Sequence, residues 1–181
     1  MKEKLLNQNG IVIWISGLSG AGKSTLAEAT AKQLRQKGIL TQILDGDAIR
    51  LGLNNNLGFS IEDRMENIRR AAEVAKLFKE CGIVTFCCFV SPLNEMRKLA
   101  RDIIGKDDFI EIFLSASLDC CEKRDVKGWY AKARQNEIKD FTGIDSPFEI
   151  SVNPDLIIDT ENQSVEKCAQ DLIDIIDKKI S

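Results

Sequence analysis

A chain of 181 residues with 44% apolar and 29% charged residues fits one globular domain and hardly two. The net charge of −3 excludes a general nucleic-acid binder, which carries a basic excess, but leaves room for local basic clusters that hold a small anion. Six cysteines without a CxxC pair, and no histidine at all, argue against a zinc centre and for a reduced cytoplasmic protein whose thiols behave as small hydrophobes.

In chain order, the first ten residues are polar and lack a signal-peptide core, and no apolar run approaches the ~20 residues of a membrane span. No membrane or nucleic-acid partner is expected. Residues 11–16 read as a buried strand that runs into a glycine-rich turn. Residues 22–37 read as a helix, with Leu26, Thr30 and Leu34 four apart and Gly38 as its stop. A second strand at 40–44 leads into Asp45-Gly46-Asp47. Residues 50–60, rich in Asn and Gly, read as loop or a short turn of helix. A long helix at 62–80 is apolar at Ile68, Ala71, Ala75 and Phe78, and residues 83–90 form a third, fully apolar strand. Ser91-Pro92 is expected to open another helix with proline in its first turn. A fourth strand follows at 109–114 and a short helix at 117–124. The charged stretch 125–149 shows little apolar periodicity and reads as a mobile segment over a site. A fifth strand at 155–158 and a closing amphipathic helix at 164–180 complete the chain. Apolar strands alternating with helices indicate one α/β domain over 1–181, a parallel five-stranded sheet covered on both faces.

Residues 17–24, Gly-Leu-Ser-Gly-Ala-Gly-Lys-Ser, match G-x-x-x-x-G-K-[ST] at every fixed position, after a predicted strand and before a predicted helix. The spacing has a chemical reason. Glycines let backbone N–H groups curl around phosphate oxygens, and the helix N-terminus adds a favourable dipole. Lys23 can reach the β- and γ-phosphates, and the Ser24 hydroxyl can ligate Mg²⁺. A GTPase shares this loop, but the guanine-reading N-K-x-D stretch is absent. A non-catalytic nucleotide-binding module is the rival from another class.

Asp45 and Asp47 stand at the C-terminal end of the second strand, the edge where open α/β sheets bind ligands. One carboxylate could orient Mg²⁺ and the other accept the proton of an attacking hydroxyl. The alternative is a turn with solvated acids. Arg50, Arg64, Asn67, Arg69 and Arg70 follow, and arginine forks suit phosphate-like or sulfate-like groups, although only some of this run should touch ligand. Phe59 and Phe148 each sit in a polar loop, where an aromatic can stack on a base or serve as a minor core residue.

These pieces together resemble the adenylyl-sulfate kinases from about residue 13 to 160. The shared stretches include 17–24, Leu-Asp-Gly-Asp (44–47) and Glu-Asp-Arg-Met-Glu-Asn-Ile-Arg-Arg (62–70). They also include Phe-Val-Ser-Pro (89–92), Cys-Glu-Lys-Arg-Asp-Val-Lys-Gly (121–128), Lys-Ala-Arg (132–134) and Glu-Ile-Lys-Asp-Phe-Thr-Gly-Ile-Asp-Ser-Pro-Phe-Glu (137–149). The resemblance implies a three-layer P-loop NTPase fold, adenylate-kinase-like, with a lid over about 124–149, and a homodimer. It implies phosphorylation of the 3′-hydroxyl of adenylyl sulfate by ATP with Mg²⁺, a step of sulfate activation. By motif, Gly17, Leu18, Ser19, Gly20, Ala21, Gly22, Lys23, Ser24, Thr25 and Arg124 would bind nucleotide, with Ser24 at the metal. Lys23, Asp45, Asp47 and Ser91 would carry the chemistry. Asp47, Arg50, Phe59, Arg64, Asn67, Val90, Ser91, Lys132 and Phe148 would bind the acceptor, its base sandwiched between Phe59 and Phe148 and Lys132 reaching in from the lid. Ser91 matches a serine described as a phosphorylated intermediate; a hydrogen-bonding or helix-capping role beside Pro92 suits it better, because no base stands next to it in the sequence.

The sequence departs from the family's pattern near the acceptor. Ala48 and Leu51 replace an asparagine and a histidine, Asn56 an aspartate and Val126 a proline. These changes leave open a related acceptor such as cytidine diphosphoramidate.

Overall fold

The computed structural model describes residues 6–180; the start of the polar opening stretch, 1–5, lies outside them. One all-parallel sheet carries β1 (Val12–Ser16), β2 (Thr41–Asp45), β3 (Val84–Cys88), β4 (Phe109–Ser115) and β5 (Leu156–Asp159), in the order β2-β3-β1-β4-β5. Among the described residues seven α-helices connect and flank them: α1 (Lys23–Gln36), α2 (Gly46–Leu51), α3 (Ile61–Glu80), α4 (Asn94–Ile104), α5 (Leu118–Arg124), α6 (Trp129–Arg134) and α7 (Val165–Ile180). Among the described residues no helix is long and apolar enough to cross a membrane.

The period of two along β1 sorts the core into two layers. Ile13 and Ile15 join Leu26, Leu34, Leu172 and Ile176 beneath α1 and α7. Val12 and Trp14 join Ile68, Ala72, Met96 and Phe109 beneath α3 and α4. Each fully buried leucine or isoleucine contributes ~1.5–3 kcal/mol, so the central strand is fixed from both faces. Trp14 is wholly buried and stacks between Phe89 and Phe109, with ring centroids 5.1 and 6.1 Å away. A buried indole N–H needs an acceptor, and Trp14 Nε1 donates to Ser91 Oγ at 2.9 Å.

One local expectation is corrected, and two stretches gain detail. The helix after β3 begins at Asn94, so Pro92 precedes it and Ser91 caps nothing. The reason is local: Ser91 adopts a left-handed φ of 44°, and Pro92 O accepts the Glu149 amide, which holds this stretch outside the helix. Residues 46–51 are helical, because the Asp45 carboxylate accepts the amides of Asp47 and Ala48 and caps α2. The segment 125–149 contains α6, anchored by buried Tyr130 and Ala133. A helix of six residues is too short to show a period in sequence.

Candidate active site

The C-terminal edge of the sheet opens into a cleft of about 670 Å³. At one end, β1 feeds the glycine-rich turn and α1. Gly20 (φ 75°) and Gly22 (φ 94°) take left-handed conformations, and a Cβ on Gly20 would stand 2.8 Å from Cys121 O, so only glycine fits there. The N-terminus of α1 has no side-chain cap, which leaves its first amides for an anionic ligand. Lys23 Nζ donates to Gly17 O (2.9 Å) and Leu18 O (2.7 Å), a curled conformation beside the turn. Burial pushes its ammonium down from 10.5 to about 8, while the charges of Cys88, Cys121, Asp47 and Asp45 oppose the shift.

Ser19, Gly20, Gly22, Lys23, Ser24 and Thr25 line the cleft, whereas Gly17, Leu18 and Ala21 stand behind as its frame. Arg124 lines the same end, donating to Gly20 O (3.4 Å) and Thr160 O (2.6 Å). Thr160 Oγ1 donates to Ala21 O at 2.8 Å. Thr160, Gln163 and Cys168 form a nucleotide-side wall that no sequence motif had marked.

Ser24 Oγ donates to Asp45 Oδ2 at 2.5 Å. Burial alone would raise the Asp45 carboxyl; hydrogen bonds from Ser24 and from the amides of Asp47 and Ala48, with Lys127 nearby, overcome that and hold it below its ordinary range. Both groups offer oxygen, the ligand type magnesium takes. Among the described residues no cluster of three or more His, Cys, Asp or Glu could hold a metal unaided. Asp47 stands two residues on, exposed at the start of α2, where its carboxylate pairs with Lys127.

The far wall gathers Arg50, Phe59, Arg64, Asn67, Val90 and Ser91. Arg50 and Arg64 both lie against the Phe59 ring, their Cζ atoms 4.6 and 5.5 Å from its centroid. Burial lowers the Arg64 pKa, and the like charge of Arg50 lowers it further, as expected of two cations poised for one anion. Asn67 is buried, its Oδ1 accepting from Asn54 Nδ2 at 2.9 Å. Arg69 and Arg70 instead pair with Glu66 and stay off the cleft.

Two expected acceptor residues lie elsewhere. Phe148 stacks on Phe113 at 5.9 Å and packs against the core, away from the cleft. Lys132 is exposed on α6 and lines neither the cleft nor its side chamber. Phe141 and Lys127, from the same segment, line the side chamber instead. Phe141 shares with Phe59, Arg64 and Asp47 a side chamber of about 100 Å³ and meets Tyr130 edge-on at 5.0 Å. Asp145 accepts the amides of Asp140 and Phe141, so the sequence signal was an aspartate four residues after the ring. The segment 125–149 is seated on the site: Tyr130 Oη donates to Ser19 O (2.8 Å) and Arg64 Nη2 to Asp140 O (2.8 Å).

Comparison with known proteins follows the same lines. The family described as adenylylsulphate kinase matches residues 9–159. The adenylyl-sulfate kinase of Bacteroides thetaiotaomicron is 55% identical over 179 residues, covering 99% of this chain and 89% of the relative. That of Clostridium kluyveri is 51% identical over 180 residues, covering 99% of this chain and 90% of the relative. The structure of the Mycobacterium tuberculosis APS kinase in complex with AMPPNP and APS superposes with a TM-score of 0.90 at 46% identity, covering 93% of this chain and 98% of that one.

Proposed function

The chain belongs to the adenylylsulphate kinase family, and on that premise we propose that it transfers the γ-phosphoryl group of ATP to the 3′-hydroxyl of adenylyl sulfate, giving 3′-phosphoadenylyl sulfate and ADP. One observation carries the reading. A single cleft has uncapped α1 amides, Lys23 and Ser24 at one end and the carboxylate of Asp47, with Arg50, Arg64 and Phe59, at the other.

Phosphoryl transfer requires positioning and charge neutralisation more than covalent help. Lys23 and the loop amides hold the phosphates of ATP. Ser24 and Asp45 would hold magnesium, which when bound would offset charge on the transferring group. Asp47 orients the 3′-hydroxyl and accepts its proton as the new O–P bond forms and the bond to the bridging β–γ oxygen breaks. For this, Lys127 must release Asp47, so acceptor entry and movement of the 124–149 lid are coupled. Arg50 and Arg64 hold the phosphosulfate. Ser91 is a positioning residue, since its hydroxyl is buried and accepts from Trp14.

Of the four departures from the family pattern, Val126 lines the cleft beside Lys127 and the other three do not. Ala48 and Leu51 are exposed, Leu51 at 86%, and neither lines the cleft. This favours adenylyl sulfate over cytidine diphosphoramidate as the acceptor. The six unpaired cysteines support an enzyme of the reducing cytoplasm, and the family resemblance supports a homodimer, which light scattering checks. The functional test is ADP release from MgATP with each acceptor supplied in parallel. Turnover with adenylyl sulfate alone is expected. Turnover with only the other acceptor overturns the substrate, and nucleotide binding without acceptor-dependent ADP release overturns the enzyme.

A further inference from the structure

Beneath the acceptor wall lies a cation that the transfer step does not use. Arg97, on α4, is 2% exposed. A buried guanidinium is costly unless its donors are met, and an apolar residue of similar size would fill the space without that cost. Arg97 instead bridges two segments distant in sequence. Nη1 donates to Ser91 O at 2.6 Å, and Nη2 donates to Asn94 Oδ1 at 2.7 Å and Glu149 O at 2.8 Å. Nε makes no hydrogen bond and lies 3.6 Å from Glu111 Oε1, which balances the charge. Glu111 in turn accepts from Ser151 Oγ.

Around this fork the same two segments are laced together. The Glu149 amide donates to Pro92 O at 2.8 Å. Asn94 gives its amide (2.6 Å) and its Nδ2 (3.0 Å) to Glu149 Oε2, and its Oδ1 accepts the Val152 amide at 3.3 Å. One segment holds Ser91, on the cleft wall, in a left-handed conformation that costs a non-glycine residue about 1–2 kcal/mol. The other is the end of the covering segment that carries Phe141.

We propose that Arg97 is a positioning residue for the acceptor: its fork fixes the wall at Ser91 and the root of the covering segment at Glu149 in one geometry. The proposal rests on the reaction given above. The nucleotide end is built from separate elements, α1 and the Arg124–Thr160 contact, so the effect of Arg97 falls on the acceptor alone.

Arg97→Lys keeps the charge but loses the planar fork. Asn94→Ala removes the lacing from a more exposed position, in case the lysine variant folds poorly. With the fork's hydrogen bonds disrupted, the KM for adenylyl sulfate should rise about tenfold or more while the KM for ATP changes less than about twofold. In the ligand-free protein, amide exchange at Glu149 and Val152 should quicken about tenfold, with the Leu26 amide unchanged. A lowered melting temperature with both KM values and both exchange rates unchanged overturns the proposal, because a merely structural arginine behaves so. If the unsubstituted protein does not turn over adenylyl sulfate, the reading of the reaction fails, and exchange at Glu149 and Val152 alone decides the role of Arg97.

Discussion

Ser24 Oγ and Asp45 Oδ2 meet at 2.5 Å, which ties the first turn of α1 to the end of β2. Asp45 also caps α2 through the amides of Asp47 and Ala48 at 2.9 and 3.4 Å. One carboxylate thus fixes both the Ser24 hydroxyl and the helix that presents Asp47. Asp45→Ala should lower stability at pH 7 by ~1–2 kcal/mol through the lost cap, and should raise the magnesium concentration needed for half-maximal turnover. The sign with pH follows from the depressed folded pKa. The contribution of Asp45 is complete above the ordinary value of 3.8 and is lost as pH falls through that value toward the folded one. Denaturant midpoints of the two proteins should therefore converge in acid; a constant gap down to the lowest pH removes this account.

Lys23 titrates at about 8 in the ligand-free protein, below its ordinary 10.5. Below pH 8 it is protonated in folded and unfolded chains alike, and its buried charge lowers stability. Between about 8 and 10.5 the unfolded chain holds the extra proton, so this penalty is relieved as pH rises. Phosphate favours the charged form and raises the folded pKa again. ATP binding at pH 8.5 should then take up a proton, measurable by calorimetry in two buffers of different ionisation enthalpy. Lys23→Ala should bind ATP without that uptake and abolish turnover, with circular dichroism unchanged. A variant that keeps most of its turnover would remove the role given to the loop lysine.

Asp47 is exposed, paired with Lys127 and not part of the core, so its substitution should leave the fold alone. Asp47→Asn keeps the shape and loses the base. kcat should fall by ~10²–10⁴, the usual share of general-base catalysis, while the dissociation constant for ATP shifts less than about threefold. Equal losses in kcat and ATP affinity would mean that Asp47 serves the metal or the framework instead.

The parallel sheet and both phosphate-side motifs were legible in the sequence because each is written in consecutive residues. An apolar run at 11–16, a glycine turn and a lysine-serine pair follow one another, and the backbone has few ways to arrange them. Asp45, Asp47, Arg50, Arg64 and Asn67 were also readable as neighbours, since the end of β2, the short α2 and one face of α3 bring them to the same edge. Residues of the covering segment were not. Lys127 and Lys132 are five apart in a charged stretch, and only the capping of α6 at Gly128 turns one toward Asp47 and the other to solvent. The same limit hid Arg97, whose partners Ser91 and Glu149 are 58 residues apart in sequence yet share one guanidinium.

The two phenylalanines of the covering segment make the sharpest case. Phe141 and Phe148 stand in similar polar surroundings in sequence, but Phe141 faces Phe59 across the side chamber and Phe148 lies on Phe113. Stacking on a base contributes ~1–3 kcal/mol. Phe141→Ala should therefore raise the KM for adenylyl sulfate about tenfold or more. Its melting temperature should fall as well, since the ring is half-buried against the core and edge-on to Tyr130. Phe148→Ala should lower stability without the rise in KM. Truncating a packed phenylalanine costs up to ~3–5 kcal/mol, less here because Phe148 is only partly buried, so the denaturant midpoint drops while the KM stays near that of the unsubstituted protein. Steady-state kinetics and urea unfolding on the two variants separate the roles. If Phe148→Ala alone weakens the acceptor, the covering segment must rearrange on binding so that Phe148 leaves Phe113 for the base. The arrangement described here would then be the one the enzyme adopts before its acceptor arrives.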